Sequence, residues 1–293
     1  MKNLWILGPG SSLNQYTTWL SNLTGAHVLA YQGVFPHCLK YFSLVPTYWT
    51  GQDPNALVEG LEFIRDGGSD LYERLKSMTI VIPHYMAQHY GMFRQFAGTT
   101  QIAHTPGKWA YYKDLIEKAR ALGYKVDIMK VYTTKNIALE EQHSNPYFQD
   151  NDIFTPATEY SRFMSPRPIF GTPPYDSESV IGDRYKWGLE NKLSSQAFPL
   201  AYHWGYKRLY VAGFDLVGSR FYDDNVRHPW DDNLIDQRKL QDIPLGFIRQ
   251  WKEWATLHGM EIYSVVENEY TLINQVLPYC PIDKAAAEEG ITG

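Results

Sequence analysis

Short apolar runs punctuate the chain at intervals, and amphipathic stretches fill much of the space between them. Leu4–Leu7, His27–Tyr31, Pro46–Thr50, Met78–Ile82, Lys125–Tyr132, Leu209–Ala212 and Glu261–Val266 each read as a strand. They are nearly continuous apolar segments rather than alternating ones, which is the pattern of strands covered on both faces. Between them, Leu57, Leu61 and Ile64 stand at helical spacing in a helix over 56–65. Trp109–Leu122 is amphipathic and stops at Gly123, Ala197–Trp204 is an apolar helix ended by Gly205, and Phe247–His258 precedes Gly259. Strands separated by helices predict an α/β fold, a doubly wound and mostly parallel Rossmann-like sheet.

The pattern breaks once. From Asn136 to about residue 190 the chain is rich in proline and polar turns, and SPRPIFGTPPYDSES reads as loop or lid rather than sheet. The organisation expected is therefore residues 1–135 and 191–280 as two parts of one nucleotide-binding α/β domain, with 136–190 as a lid or insertion. Residues 281–293 are expected to form a tail, small, polar and frayed over Lys284–Gly293. His203, within the apolar helix, is expected to be a packing residue.

Several strand ends carry groups suited to a ligand, and in open α/β sheets ligands sit at the carboxyl ends of the strands. Gly8-Pro9-Gly10-Ser11-Ser12 follows the first strand. It reads either as a phosphate cradle built from backbone amides and a helix dipole, or as an ordinary turn with Ser11 or Ser12 capping a helix. Asp53-Pro54 closes the third strand and holds an acid there. Ser194 and Ser195 open the apolar helix. Gly213, Phe214 and Asp215 end the strand at Leu209–Ala212, and Tyr222 follows. The loop 222–232 is acidic; its carboxylates could suit Mg²⁺ or Mn²⁺, whereas no zinc spacing is present.

Composition narrows the classes. With 293 residues, 44% of them hydrophobic, a full core is available. Net charge is -5 and no basic block stands out, which argues against nucleic acid as a partner. Aromatics make up 15%, enough for stacking surfaces for sugars or bases as well as extra packing. Cys38 and Cys280 form no CxxC pattern, and no apolar stretch is long enough to span a membrane or act as a signal peptide. A cytoplasmic location is expected, and oligomerisation is left open.

Three of these segments together resemble a known arrangement. LGPGSSL, YWTGQDPN and the run from Ser194 through GYKRLYVAGFDL look like elements of the small bacterial sialyltransferases that use CMP-sialic acid. The same layout, with Asp-Pro in the second element, resembles the 6-hydroxymethylpterin diphosphokinase-like family that includes motility accessory factors. The first resemblance implies a glycosyltransferase that needs no cofactor and moves a sugar from a nucleotide donor, a CMP-sugar being favoured, to a glycan or small hydroxyl acceptor. It implies that Gly8, Gly10, Ser11 and Ser12 line the phosphate loop, and that Gln32 and Asp53 lie near the sugar nucleotide. By the same resemblance Ser194 or Ser195 contacts the donor, Gly213, Phe214 and Asp215 hold base and ribose, and Tyr222 meets the leaving phosphate. That family's catalytic histidine has no counterpart near Asp242, so His228 or Asp242 is the candidate general base. The second resemblance implies an Mg²⁺-dependent phosphotransferase with Asp53, Asp215, Asp223 and Asp224 as ligands. A non-catalytic nucleotide- or sugar-binding protein is the third alternative.

Overall fold

In a computed structural model of the chain, the strands assemble into one parallel sheet. The residues described are 2–51, 54–83, 106–130, 153–154, 193–215, 219–227, most of 245–266, and 272–291. The strands are β1 (Asn3–Leu7), β2 (Val28–Tyr31), β3 (Tyr48–Thr50), β4 (Thr79–Pro83), β5 (Lys125–Lys130), β6 (Ile153–Phe154), β7 (Arg208–Ala212) and β10 (Glu261–Ser264). A separate hairpin is made by β8 (Ser219–Arg220) and β9 (Asp223–Arg227). The helices are α1 (Thr17–Ser21), α2 (Val34–Phe42), α3 (Pro54–Leu75), α4 (Pro106–Ala121), α5 (Phe198–His203) and α6 (Ile282–Glu288).

Strand order across the sheet is β10-β7-β1-β2-β3-β4-β5-β6, and every recorded pair is parallel. The chain thus winds outward from β1 to β6, returns to the other side of β1 as β7, and continues to β10. Right-handed crossovers force helices onto opposite faces when the winding direction reverses. The core follows that rule. Trp5, Leu7, Val28, Ala30, Ile80 and Ile82 turn to one face and pack with residues of α2, α3 and α4. Leu4, Ile6, Leu29, Tyr31, Leu209 and Val211 turn to the other, against Phe198, Ala201, Ile248, Trp251 and Ala255. Alternate residues of each strand serve alternate cores, which explains why the strands read as unbroken apolar runs. The doubly wound α/β expectation therefore holds.

Some expectations are corrected. Helix α2 was not anticipated, because Pro36 and bulky Phe35 in its first turn weaken the helical signal. Helix α3 extends to Leu75, bending at Gly68, whose φ of 54° only glycine adopts readily. The segment 136–190 contributes a strand: Ile153–Phe154 pairs with Met129–Lys130 of β5 at the sheet edge. The remainder of that expected lid lies outside the described residues. The acidic loop begins as the hairpin β8–β9. His203 is exposed at the end of α5 rather than packed.

The tail is the largest correction. Residues 282–288 form α6, with Ala285 and Ala286 fully buried under the sheet-face core. Glu288 anchors it, accepting the hydroxyl of buried Tyr210 at 2.5 Å and an ion pair from Arg208, which also pairs with Glu261 at 2.6 Å. Ala is the best helix former and needs little room, so a small-residue tail can dock tightly. The Tyr210 hydrogen bond holds the Glu288 carboxyl below its usual range. A depressed folded pKa contributes stability above the unfolded glutamate value and loses it as pH falls through the folded one. Replacing Glu288 with Ala leaves the Tyr210 hydroxyl without its acceptor and should lower stability by about 1–3 kcal/mol. Thermal unfolding of Glu288→Ala near pH 7 should show a melting temperature several degrees lower, with the gap to the parent narrowing below pH 4. An unchanged melting point at neutral pH would refute the anchor.

Candidate functional site at the β1–β7 switch point

The winding reverses between β1 and β7, and at such a switch point two strand-end loops part and leave a crevice. Here the loops do not part at once. The ladder runs on beyond the strands, with Gly8 N–H donating to Ala212 at 2.8 Å and Gly10 N–H to Gly213 at 2.7 Å. A Cβ on Gly8 would lie 2.5 Å from the Gly213 oxygen, and one on Gly213, whose φ is 72°, would run into the Gly8 carbonyl. Both glycines are needed because two backbones touch there.

Beyond this contact Asp215 crosses to the first loop. Its Oδ2 accepts the Ser12 amide at 2.9 Å and its Oδ1 accepts the Ser12 hydroxyl at 2.5 Å. Asp215 is 3% exposed and Ser12 fully buried, so the clasp is shielded from water. A Cβ on Gly10 would come within 3.0 Å of the same carboxylate. The amides of Gly8, Gly10 and Ser12 therefore serve the fold, and the anion at the start of the Ser11–Tyr16 turn is the protein's own. This corrects the phosphate-cradle expectation. The capping alternative is corrected too, since Gly10 occupies the cap position and no side chain bonds there.

Phe214 is buried and meets Tyr31, ring centroids 6.0 Å apart, with its ring edge against Gly8, where a Cβ would lie 2.7 Å away. Gln32 ends β2 with a φ of 56°, an uncommon conformation for a residue other than glycine. Its N–H donates to Thr50 at 2.6 Å and its carbonyl accepts the Trp49 indole at 2.8 Å. Strain of this kind costs on the order of 1–3 kcal/mol and gathers at functional positions.

Tyr222 lies in the turn between β8 and β9. That turn is tied to the first loop by the Phe221 N–H, which donates to Pro9 at 3.0 Å, and by the Phe221 ring against Phe42 of α2. Tyr222 then stacks on His37 of α2, centroids 3.7 Å apart and planes within 8°. Its hydroxyl lies over Gly33, where a Cβ would be 2.9 Å away.

Ser194 and Ser195 fall in a π-helical turn, Leu193–Ala197, that leads into α5. Wide turns of this type recur at functional sites. The next residue, Gln196, is fully buried and fixes the turn to the sheet. Its Oε1 accepts the Tyr31 hydroxyl at 2.5 Å, and its Nε2 donates to Thr50 Oγ1 at 3.0 Å. The Thr50 hydroxyl donates in turn to the Val81 carbonyl at 2.7 Å. Gln196 and His37 were both missed from sequence. No local signal marked either, because the residues they meet lie far away in sequence.

The structure thus brings together Gly8, Gly10, Ser12, Gln32, Gly213, Asp215 and Tyr222 at one edge of the sheet, with the Ser194–Ser195 turn held from below by Gln196. Ser11 begins the turn after Gly10 and is half-buried. Asp53, His228 and Asp242 lie outside the described residues, as do the side chains of Asp223 and Asp224. Among the described residues no group of three His, Cys, Asp or Glu side chains could hold a metal ion, and no helix is long and apolar enough to cross a membrane. No family model matches the chain, and no curated protein does.

The clasp is testable without any ligand. In a double-mutant cycle of Ser12→Ala and Asp215→Asn, followed by denaturant unfolding, the two positions should couple by roughly 1.5–3 kcal/mol, the range for hydrogen bonds to a charged group. Additive effects would mean that the two side chains do not meet in solution.

Proposed function

We propose that the chain is a nucleotide-sugar-dependent glycosyltransferase of the sialyltransferase-like kind, moving a sugar from a nucleotide donor to a hydroxyl acceptor. One observation supports the reading: two of the segments that resemble that family, after β1 and after β7, lie side by side at the switch point between these strands, where open α/β sheets take nucleotides, and the third follows β3 two strands along.

The geometry favours a particular polarity for the donor. Asp215 places a clasped, buried carboxylate at the β1–β7 end, which disfavours phosphate there; it meets a nucleoside's hydroxyl or amino donors only through a lone pair that Ser12 leaves unused. The leaving phosphate belongs farther along the edge, toward the Tyr222 hydroxyl and the start of α2, a nine-residue helix whose dipole favours an anion. The Ser194–Ser195 turn borders the same edge. Transfer then needs a base to take the acceptor proton, and His228 or Asp242 is the candidate from sequence. No metal enters these steps. A Mg²⁺-dependent phosphotransferase would instead require Asp215 to release Ser12 and present its oxygens to the ion.

A calorimetric series of CMP, CDP, UDP and GDP, each with Mg²⁺ and with EDTA, decides among the readings. A cytidine nucleotide should bind equally well in both conditions, and at 100 Kd should stabilise the fold by about 2.7 kcal/mol. Binding that disappears in EDTA would transfer the reading to phosphotransfer. Failure of every nucleotide to bind would remove it altogether.

A further inference from the structure

We infer that Gln196 is a positioning residue, whose buried amide sets where the Ser194–Ser195 turn stands against the ends of β2 and β3. The inference rests on the nucleotide reading for what is bound at that edge, whereas the join itself is read from hydrogen bonds alone.

Leu193, Gln196 and Ala197 of the π-helical turn are all fully buried, and of the three only Gln196 is polar. Burying an amide is unfavourable unless its hydrogen bonds are replaced, and a Leu or Met would fill the space without that cost. Both ends of this amide are used. Its Oε1 accepts the Tyr31 hydroxyl at 2.5 Å, and its Nε2 donates to Thr50 Oγ1 at 3.0 Å. Apolar contacts would hold the turn on the sheet but let it slide. Hydrogen bonds fix distance and angle, and a satisfied buried network favours one arrangement.

The line also has a direction. The Thr50 hydroxyl donates to the Val81 carbonyl at 2.7 Å, and a carbonyl only accepts, so the Thr50 oxygen is left to accept. Position 196 must therefore donate to Thr50 while accepting from Tyr31. An amide does both, and a carboxylate cannot. Each partner lies one residue from the ligand-side edge. Tyr31 precedes Gln32, whose N–H donates to the Thr50 carbonyl at 2.6 Å, and Thr50 precedes Gly51, which packs on Gln32. The Tyr31 ring also meets Phe214, the neighbour of Asp215. One buried amide thus joins the turn, the end of β2 and the end of β3. Wide turns of this kind are rare and recur at functional sites.

Gln196→Glu converts that direction into a pH readout. Protonated, the new side chain keeps the shape, accepts from Tyr31 and donates to Thr50; ionised, it cannot donate. Burial raises a glutamate's titration, to about pH 8–9 in documented cases. Asp127 lies in register with Val81 and Thr50, ion-paired to Lys125 at 3.1 Å, and its like charge acts in the same direction.

The probe is the methyl ester of CMP, whose single negative charge is constant from pH 5.5 to 9. At pH 5.5 Gln196→Glu should bind it within twofold of the parent, and at pH 9 at least fivefold more weakly, both measured where circular dichroism shows the proteins folded. A variant-to-parent ratio that is the same at both pH values overturns the inference, even if the variant melts lower at pH 9, because a role in core packing alone moves stability and not the ratio. Should the variant unfold at pH 9, Thr50→Val removes the acceptor of Nε2 instead. It should bind the ester at least threefold more weakly at pH 7, and binding equal to the parent overturns the inference. If the parent binds no cytidine nucleotide, the nucleotide reading fails and amide exchange decides the join. The Gln32 amide should then lose at least tenfold of its protection in Gln196→Glu at pH 9, or in Thr50→Val. The Gly8 amide, which donates to Ala212 across β1 and β7, should be unchanged. No loss at Gln32, or an equal loss at Gly8, overturns the inference.

Discussion

The ligand-side edge of this protein depends on a contact between two glycine backbones. Gly8 and Gly213 approach so closely that the parallel ladder of β1 and β7 continues past both strands. Only because the loops run side by side does Asp215 reach Ser12. The same first loop offers the Pro9 carbonyl to Phe221, which holds the hairpin and so places Tyr222 against α2. Separating the two glycines by a single methyl group would displace the clasp and the hairpin together. The arrangement places strand, loop and helix starts in register over a short stretch of sheet, which is how a rigid scaffold positions loop residues for binding.

The strands were legible because a parallel sheet buried on both faces requires apolar runs, and Leu4–Leu7, Met78–Ile82 and Leu209–Ala212 have no other purpose. The glycines were legible in part. Gly8, Gly10 and Gly213 announce that a backbone must come close to something, but local sequence does not say to what. A ligand was the expected neighbour, and for Gly8 and Gly213 the neighbour is each other. Partners far apart in sequence were invisible for the same reason. Tyr31, Thr50 and Gln196 form one hydrogen-bonded line that joins residues 146 to 165 positions apart. Helix α6 was hidden by its composition: alanines and glutamates read equally well as a solvated tail, and only Tyr210 and Arg208 of β7 reveal that Glu288 has somewhere to dock.

The clasp also settles a question of sign at the edge. A buried carboxylate already occupies the start of the first helical turn, so a second anion there would meet it directly. At about 4 Å and an effective dielectric near 20, two unit charges repel by about 4 kcal/mol, more than the amides of one short turn return. A second anion is therefore disfavoured beside the clasp, whose two carboxylate oxygens are already engaged by Ser12.

Gln32 sits between the clasp and the start of α2 and explains why they keep their separation. It occupies the last position before Gly33, held in a left-handed conformation by Thr50, by the Trp49 indole and by Gly51, where a Cβ would press on Gln32 itself at 3.1 Å. A residue in relaxed extended geometry would carry β2 straight on and move the start of α2 away from the first loop. The forced turn instead brings Gly33 and α2 beneath Tyr222, with His37 one helical turn farther along. The strain at Gln32 is tolerated because Trp49 and Thr50 belong to the adjacent buried strand and cannot yield without disturbing the core. Core packing of β3 thus sets the distance between the Asp215–Ser12 clasp and the start of α2, a constraint that lies beneath this edge rather than within it.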